Sequence, residues 1–294
     1  MISEHFRCNF KQQTMKRFIA AFDGRVYSEG TVQYAIHLAT QTDSKLVGVF
    51  IQDLTLPPGL YAPFATQVPY LDVPTLLKSE SKDEEKVNKN IKLFVRACEK
   101  AGVKFEVHKD KGVPLQELLA ESNFADLLII DRKVSFYAFE KESPSGFLKD
   151  LLAESHCPVL IVPQKYTEIN GVYLAYDNMP SSIYAIKMFS YVLPHCCEKQ
   201  TQLVQVKAEK AASSHLSNNK NIKDFAKRKF KNIAFDVVKG SPEVMIEETL
   251  KATNGDVVVV MGSYARTAFS RFFHQSLANK ILKDFDVPLF IAHV

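Results

Sequence analysis

No two of the five cysteines in this chain are spaced C-x-x-C, and their number is odd. Cys8, Cys98, Cys157, Cys196 and Cys197 therefore outline neither a disulfide framework nor a zinc ribbon. They fit a reduced, cytoplasmic setting. An excess of one charge is also missing. Lys and Arg number 37 against 33 Asp and Glu, a formal net charge of +4, which gives no reason to expect nucleic acid or a membrane surface as partner. Long apolar runs are absent as well. Stretches such as Val257 to Met261 are strand-sized and too short to cross a bilayer. The opening MISEHFRCNFKQQT lacks the apolar core of a secretion signal, and residues 1–14 read as a disordered extension before Met15. Catalytic signatures are lacking too. There is no G-x-S-x-G elbow, no SGG-x-D-S loop and no H-x-G-H motif, and His37, His156 and His274 stand in no serine and acid constellation.

What is present is a globular composition, 46% hydrophobic and 24% charged, and a plan that occurs twice. Phe18–Phe22, Leu46–Ile51, Leu127–Ile130 and Val159–Val162 are short apolar runs without alternation, as in strands buried on both faces of a parallel sheet, and Val103–Val107 is a weaker strand signal that completes a set of five. Helical periodicity fills the gaps. It covers 27–39, then 79–101 with Ser81 and Glu84 as a capping box and Gly102 as the stop, then a helix opened by Pro114, then about 145–152. The order repeats with Val172–Tyr176, Leu203–Val206, Ile233–Val238, a helix opened by Ser241 and Pro242, Val257–Met261 and Val287–Ile291. Strands alternating with helices imply right-handed crossovers, so the fold class is α/β, with two doubly wound parallel-sheet domains. The expected division is 1–14 extension, 15–165 first domain and 166–294 second domain. Residues 53–75, with five prolines, read as a long ordered loop over the first sheet. The connection AEKAASSHLSNN, 208–219, reads as mobile.

Asp23 and Asp177 close the first strand of each copy, Gly262-Ser263 closes the fourth strand of the second, and an X-Pro-apolar strand ends both. This arrangement resembles the universal stress protein family, in tandem, from Met15 to Val294. The resemblance implies strand order 3-2-1-4-5, as in the adenine nucleotide alpha hydrolase-like fold. It also implies an intramolecular pseudo-dimer with Pro158–Val162 beside Pro288–Ala292, which would hide two sheet edges. ATP-binding members carry G-2x-G-9x-G-(S/T) after the fourth strand, because phosphate needs backbone N–H groups and close backbone approach at a helix N-terminus. The resemblance therefore points in the second domain to Asp177, Gly262, Ser263, Ala265, Arg266 and Ser276 as nucleotide-binding residues. Ala265 and Gln275 stand where glycines are expected. In the first domain Arg132 and Lys133 replace Gly-Ser, Asp131, Glu140 and Glu142 add negative charge, and conventional ATP binding is not expected.

Blander readings cover the remaining signals. His195-Cys196-Cys197 reads as a helix end with buried thiols, and Cys98 as core. In Lys220–Lys231 the residues Ile222, Phe225, Ala226 and Phe230 form an apolar stripe, leaving the lysines on a solvated face. The function implied is a stress-response binding or regulatory protein without a required cofactor, taking ATP or AMP in its second domain alone. Its partners would be that nucleotide, an unidentified protein and a second copy of the chain. A scaffold that binds no nucleotide and a weak nucleotide hydrolase are the alternatives.

Overall fold

The computed structural model describes residues 15–53, 73–136, 144–211, 213, 215–251, 253, 255–262 and 277–292, the side chains of 73–82 excepted. The first half runs β1 (Arg17–Asp23), α1 (Glu29–Thr42), β2 (Lys45–Asp53), α2 (Val73–Ala101), β3 (Phe105–Gly112), α3 (Pro114–Ser122), β4 (Leu127–Asp131), α4 (Gly146–Glu154) and β5 (Val159–Val162). The second runs β6 (Gly171–Ala175), α5 (Pro180–Val192), a 3-10 turn (Pro194–Glu198), β7 (Gln200–Lys207), α6 (Asn219–Lys229), β8 (Asn232–Lys239), α7 (Pro242–Lys251) and β9 (Val257–Gly262). A helical stretch over 277–284 and β10 (Leu289–Ala292) complete it.

The strands form one ten-stranded sheet in the order β3-β2-β1-β4-β5-β10-β9-β6-β7-β8. Each half has the order 3-2-1-4-5, and every neighbouring pair is parallel except one. At the seam β10 lies antiparallel to β5, with Leu289 opposite Ile161, Phe290 opposite Leu160 and Ile291 opposite Val159. Two short, wholly apolar edges thus cover each other, as the resemblance implied, and the outer edges are the charged strand β3 and strand β8.

Side-chain alternation divides the core into two layers that each run through both halves. Phe18, Phe22, Leu160, Leu174 and Phe290 lie under α1, α2, α5 and α6. Ile19, Ile161, Tyr173, Val259 and Leu289 lie under α3, α4, α7 and the 277–284 helix. Across the seam on the first face, Tyr34 accepts a hydrogen bond from Thr167 N and packs edge-on against Tyr166, while Lys16 Nζ donates to the carbonyls of Tyr191 and Val192.

Helix α1 begins at Ser28, whose hydroxyl accepts from Thr31 N, and α4 begins in the same way at Ser145. Helix α2 corrects the expectation of a capping box. It starts at Val73, so Ser81 lies inside the helix, because Pro74 in the first turn loses no intrahelical hydrogen bond. The connection 208–219 is not loose where it is described. Leu216 is buried, Ser217 N donates to Gln205 Oε1, and Tyr176 donates to Ser217 O. Most of the proline-rich stretch 53–75 lies outside the described residues. Ile222 and Ala226 bury one stripe of α6, and Cys196 and Cys197 are buried in the 3-10 turn.

Candidate functional site

A doubly wound sheet opens a crevice at the carboxyl ends of its strands where the winding direction reverses. Here those places are the ends of β1 and β4 in the first half and of β6 and β9 in the second. Asp23, the last residue of β1, and Asp177, two residues beyond β6, take the same role. Asp23 Oδ1 accepts from Arg25 N at 3.1 Å, and Asp177 Oδ1 accepts from Met179 N at 2.9 Å. Each carboxylate ties down the backbone two residues on, an Asx turn that carries the chain into the next helix. Burial raises the Asp23 carboxyl above its ordinary range, opposed by the hydrogen bonds and charge of Arg25.

The sheet register corrects the assignment of the fourth-strand turn by one residue. Val162 pairs with Asp131 in the first half, and Ala292 pairs with Gly262 in the second. Asp131, not Arg132, therefore stands in the place of Gly262. The Asp131 side chain is 7% exposed. Its Oδ2 accepts from Ser28 Oγ at 2.5 Å and its Oδ1 from Lys133 N at 2.7 Å. The first half thus holds its own carboxylate at the N-cap of α1, where the helix dipole favours negative charge. A cleft of about 90 Å³ beside it is lined by Phe22, Asp23, Ser28, Asp131 and Lys133 among others. Arg25 pairs with Asp23 and Lys133 lines the cleft, so it is the Asp131 carboxylate, held at the turn itself, that opposes the entry of a phosphate.

Arg132 does not face that cleft as a phosphate partner. It reaches across to the second half, with Nη1 donating to Phe285 O at 2.7 Å and Nη2 paired with Asp286 Oδ1 at 2.6 Å. Sequence reasoning missed this contact, since nothing local marks a partner so far along the chain. Aligning the apolar runs LLII and VVVM by their last residues would have found the one-residue shift.

In the second half Gly262 meets α5 directly. A Cβ at 262 would lie 2.5 Å from Ser182 N and 2.6 Å from the carbonyl carbon of Ser181. The link from Asp177 to Pro180 is shorter than that from Asp23 to Glu29, which brings the helix start down onto the strand end. Only glycine fits this approach. Of the other residues expected at this site, Ser263, Ala265, Arg266 and Ser276 lie outside the described residues. Gly262 ends β9, and Asp177 lies two residues beyond the end of the adjacent strand β6.

Among the described residues no group of three or more metal-ligating side chains occurs, and no helix is long and apolar enough to cross a membrane. Burial pushes the thiols of Cys98, Cys157 and Cys197 up to about 12 and that of Cys196 to about 11, so these side chains behave as core at neutral pH.

Comparison with known proteins gives a consistent result. The Universal stress protein family model matches residues 14–163. A universal stress protein of Methanocaldococcus jannaschii is 25% identical over 155 residues, covering 52% of this chain and 85% of that protein. The crystal structure of a universal stress protein from Archaeoglobus fulgidus is similar over 94% of this chain and 96% of its own, with TM-score 0.67 and 16% identity. A Pseudomonas aeruginosa protein described as functionally unknown covers 96% of this chain and 93% of its own, with TM-score 0.58 and 13% identity. At these identities the two structures show the fold alone.

Proposed function

Because this chain belongs to the universal stress protein family, we propose that it is a non-catalytic binding and regulatory protein of the stress response, taking ATP or AMP in its second half only. The observation that carries this reading is the asymmetry of one position. The first half places the Asp131 carboxylate where the second half places the bare backbone of Gly262. A phosphate needs backbone N–H groups and an approach free of negative charge, and Asp131 adds a carboxylate there and takes up Lys133 N itself.

In the second half Asp177 would stand beside the adenosine part, and Gly262, Ser263 and Ala265 would form the start of the phosphate loop. Arg266 would neutralise phosphate charge, and Ser276 would offer a closing hydroxyl. The first half then serves as the partner that a second subunit would otherwise be, completing the sheet through β5.

A second reading, a scaffold that binds no nucleotide, is favoured by two particular facts. Gly262 is already required by the approach of α5, and Asp177 by its turn. Their presence therefore does not need a ligand to explain it. Titration of the nucleotide-stripped protein with ATP and AMP separates the readings. One site per chain, weakened in Arg266→Ala, supports the nucleotide reading; no binding at millimolar nucleotide leaves the scaffold. A side chain at 262 would displace α5 whatever the ligand, so Gly262 variants are unsuited as the control.

A further inference from the structure

The two halves also differ at the opposite end of the sheet, on the amino-terminal rim beneath α3 and α7. In the first half this rim is filled by charged side chains. Arg17 Nη2 pairs with Glu121 at 2.6 Å, His108 Nδ1 meets the other oxygen of Glu121 at 2.7 Å, and Lys45 pairs with Glu106 at 2.5 Å. Strand register gives the counterparts in the second half. Arg17 pairs with Lys45 as Gly171 pairs with Gln200. From the next ladder, Glu106 corresponds to Ala234 and His108 to Asp236. Glu121 and Thr249 stand equally far from the prolines that open α3 and α7.

An ionic cluster has thus been replaced by glycine, alanine, threonine and glutamine, and one carboxylate. That carboxylate is engaged, since Asp236 Oδ2 accepts from Gln202 Nε2 at 2.8 Å. The space vacated is a surface pocket of about 270 Å³, open to solvent on one side and lined by Gly171, Tyr173, Gln200, Gln202, Ala234 and Thr249 together with Leu250 and Val257. An enclosed apolar cavity of roughly 150 Å³ takes benzene, so this open pocket has room for a two-ring molecule that keeps one edge in solvent. The floor is flat because Gly171 stays bare; a Cβ there would press to 3.0 Å from Val257 Cγ1.

We propose that this pocket binds a small uncharged heteroaromatic molecule with one hydrogen-bonding N–H or O–H, of the indole class. Its walls are mainly apolar, and its buried polar handle is Tyr173, 4% exposed and beside the Thr249 hydroxyl. Burial pushes that phenol up to about 12, so it stays neutral; its O–H is donated to Thr249, whose own hydroxyl goes to Met245 O, and the phenol oxygen keeps a lone pair to accept an N–H or O–H. A charged ligand would find none of the partners that hold Arg17 in the first half, and desolvating it there would be unfavourable. The site lies at the other end of the strands from the proposed nucleotide loop and does not depend on it.

The chain contains no tryptophan, so the emission of indole itself reports binding without background. The purified full chain is titrated into indole, with Ala234→Phe, Tyr173→Phe and n-propylguanidine as comparisons. Ala234 is exposed at the pocket mouth, so Phe there closes the entrance without entering the core. The expected result is saturable one-to-one binding with Kd on the order of 1 mM or tighter. Ala234→Phe should abolish it, Tyr173→Phe should weaken it about 3- to 10-fold, and n-propylguanidine should not compete. A response that never saturates, binding retained in Ala234→Phe, or competition by the guanidine overturns the proposal. Unchanged far-UV circular dichroism and melting of the variants show that loss of binding is not loss of fold.

Discussion

Replacing Phe290 by alanine removes a ring at the join of the two halves. Phe290 is fully buried on β10, stands opposite Leu160 of β5, and pairs in parallel with Val260 of β9. Its ring meets Phe189 edge to face at 5.2 Å between centroids. Truncating a core phenylalanine costs about 3–5 kcal/mol, of which the aromatic pair accounts for about 0.5–1.5. A loss of about 4 kcal/mol is a large share of the 5–15 kcal/mol typical of a folded domain. Urea unfolding followed by far-UV circular dichroism and by tyrosine emission reads the effect. With a slope of about 3 kcal/mol/M the midpoint should fall by roughly 1.3 M. Both core layers run unbroken through the seam, so one transition is expected for wild type and variant, coincident by both probes. Two separated transitions, with only one moving, would refute the reasoning that the seam makes a single cooperative core. A fall of less than about 1 kcal/mol would show that the site collapses around the lost ring.

Three further outcomes follow from the same contacts. Gly262→Ala should destabilise the protein by about 1–3 kcal/mol in thermal melts without any nucleotide, because its Cβ overlaps the α5 backbone. Arg132→Ala should lose about 1 kcal/mol, mostly the hydrogen bond to Phe285 O, since Asp286 is 76% exposed and its pairing is screened; Arg132→Lys should not restore it. Burial alone would raise the Glu121 carboxyl, but hydrogen bonds from Arg17 and His108 and their charge hold it below the usual range. Its contribution is therefore present above the unfolded value, near 4.3, and disappears as pH falls through the lower folded value. Glu121→Gln should be less stable than wild type at pH 7 and should approach it at pH 3, as melting at the two pH values would show.

Continuous apolar runs made the strands legible, because a parallel sheet covered on both faces demands them in places such as VVVV and LLII. The seam between β5 and β10 was implied by family resemblance, and the two strands do lie side by side, antiparallel over three residue pairs. Helix starts were harder to read. Ser81 and Glu84 have the spacing of a cap, yet α2 runs through them from Val73, because Pro74 in the first turn marks a helix start as well as Ser81 does. The connection around Leu216 looked featureless because one buried leucine in a polar stretch carries no periodicity. The Arg132 tether and the Arg17–Glu121–His108 cluster join residues far apart in the chain, which no local pattern records. Sheet register shows that Asp131 replaces Gly262, a shift of one position that reverses the charge at the first turn of the candidate loop and that aligning the two apolar runs by their last residues also gives.

The most direct test of the proposed division of labour is calorimetric titration of the nucleotide-stripped chain with ATP, read for stoichiometry as well as affinity. One nucleotide per chain, weakened at least tenfold in Arg266→Ala and unchanged in Asp131→Asn, is the expected result. Two nucleotides per chain would contradict the assignment of Asp131 as the feature that closes the first half, and none at millimolar ATP would contradict nucleotide binding by the second.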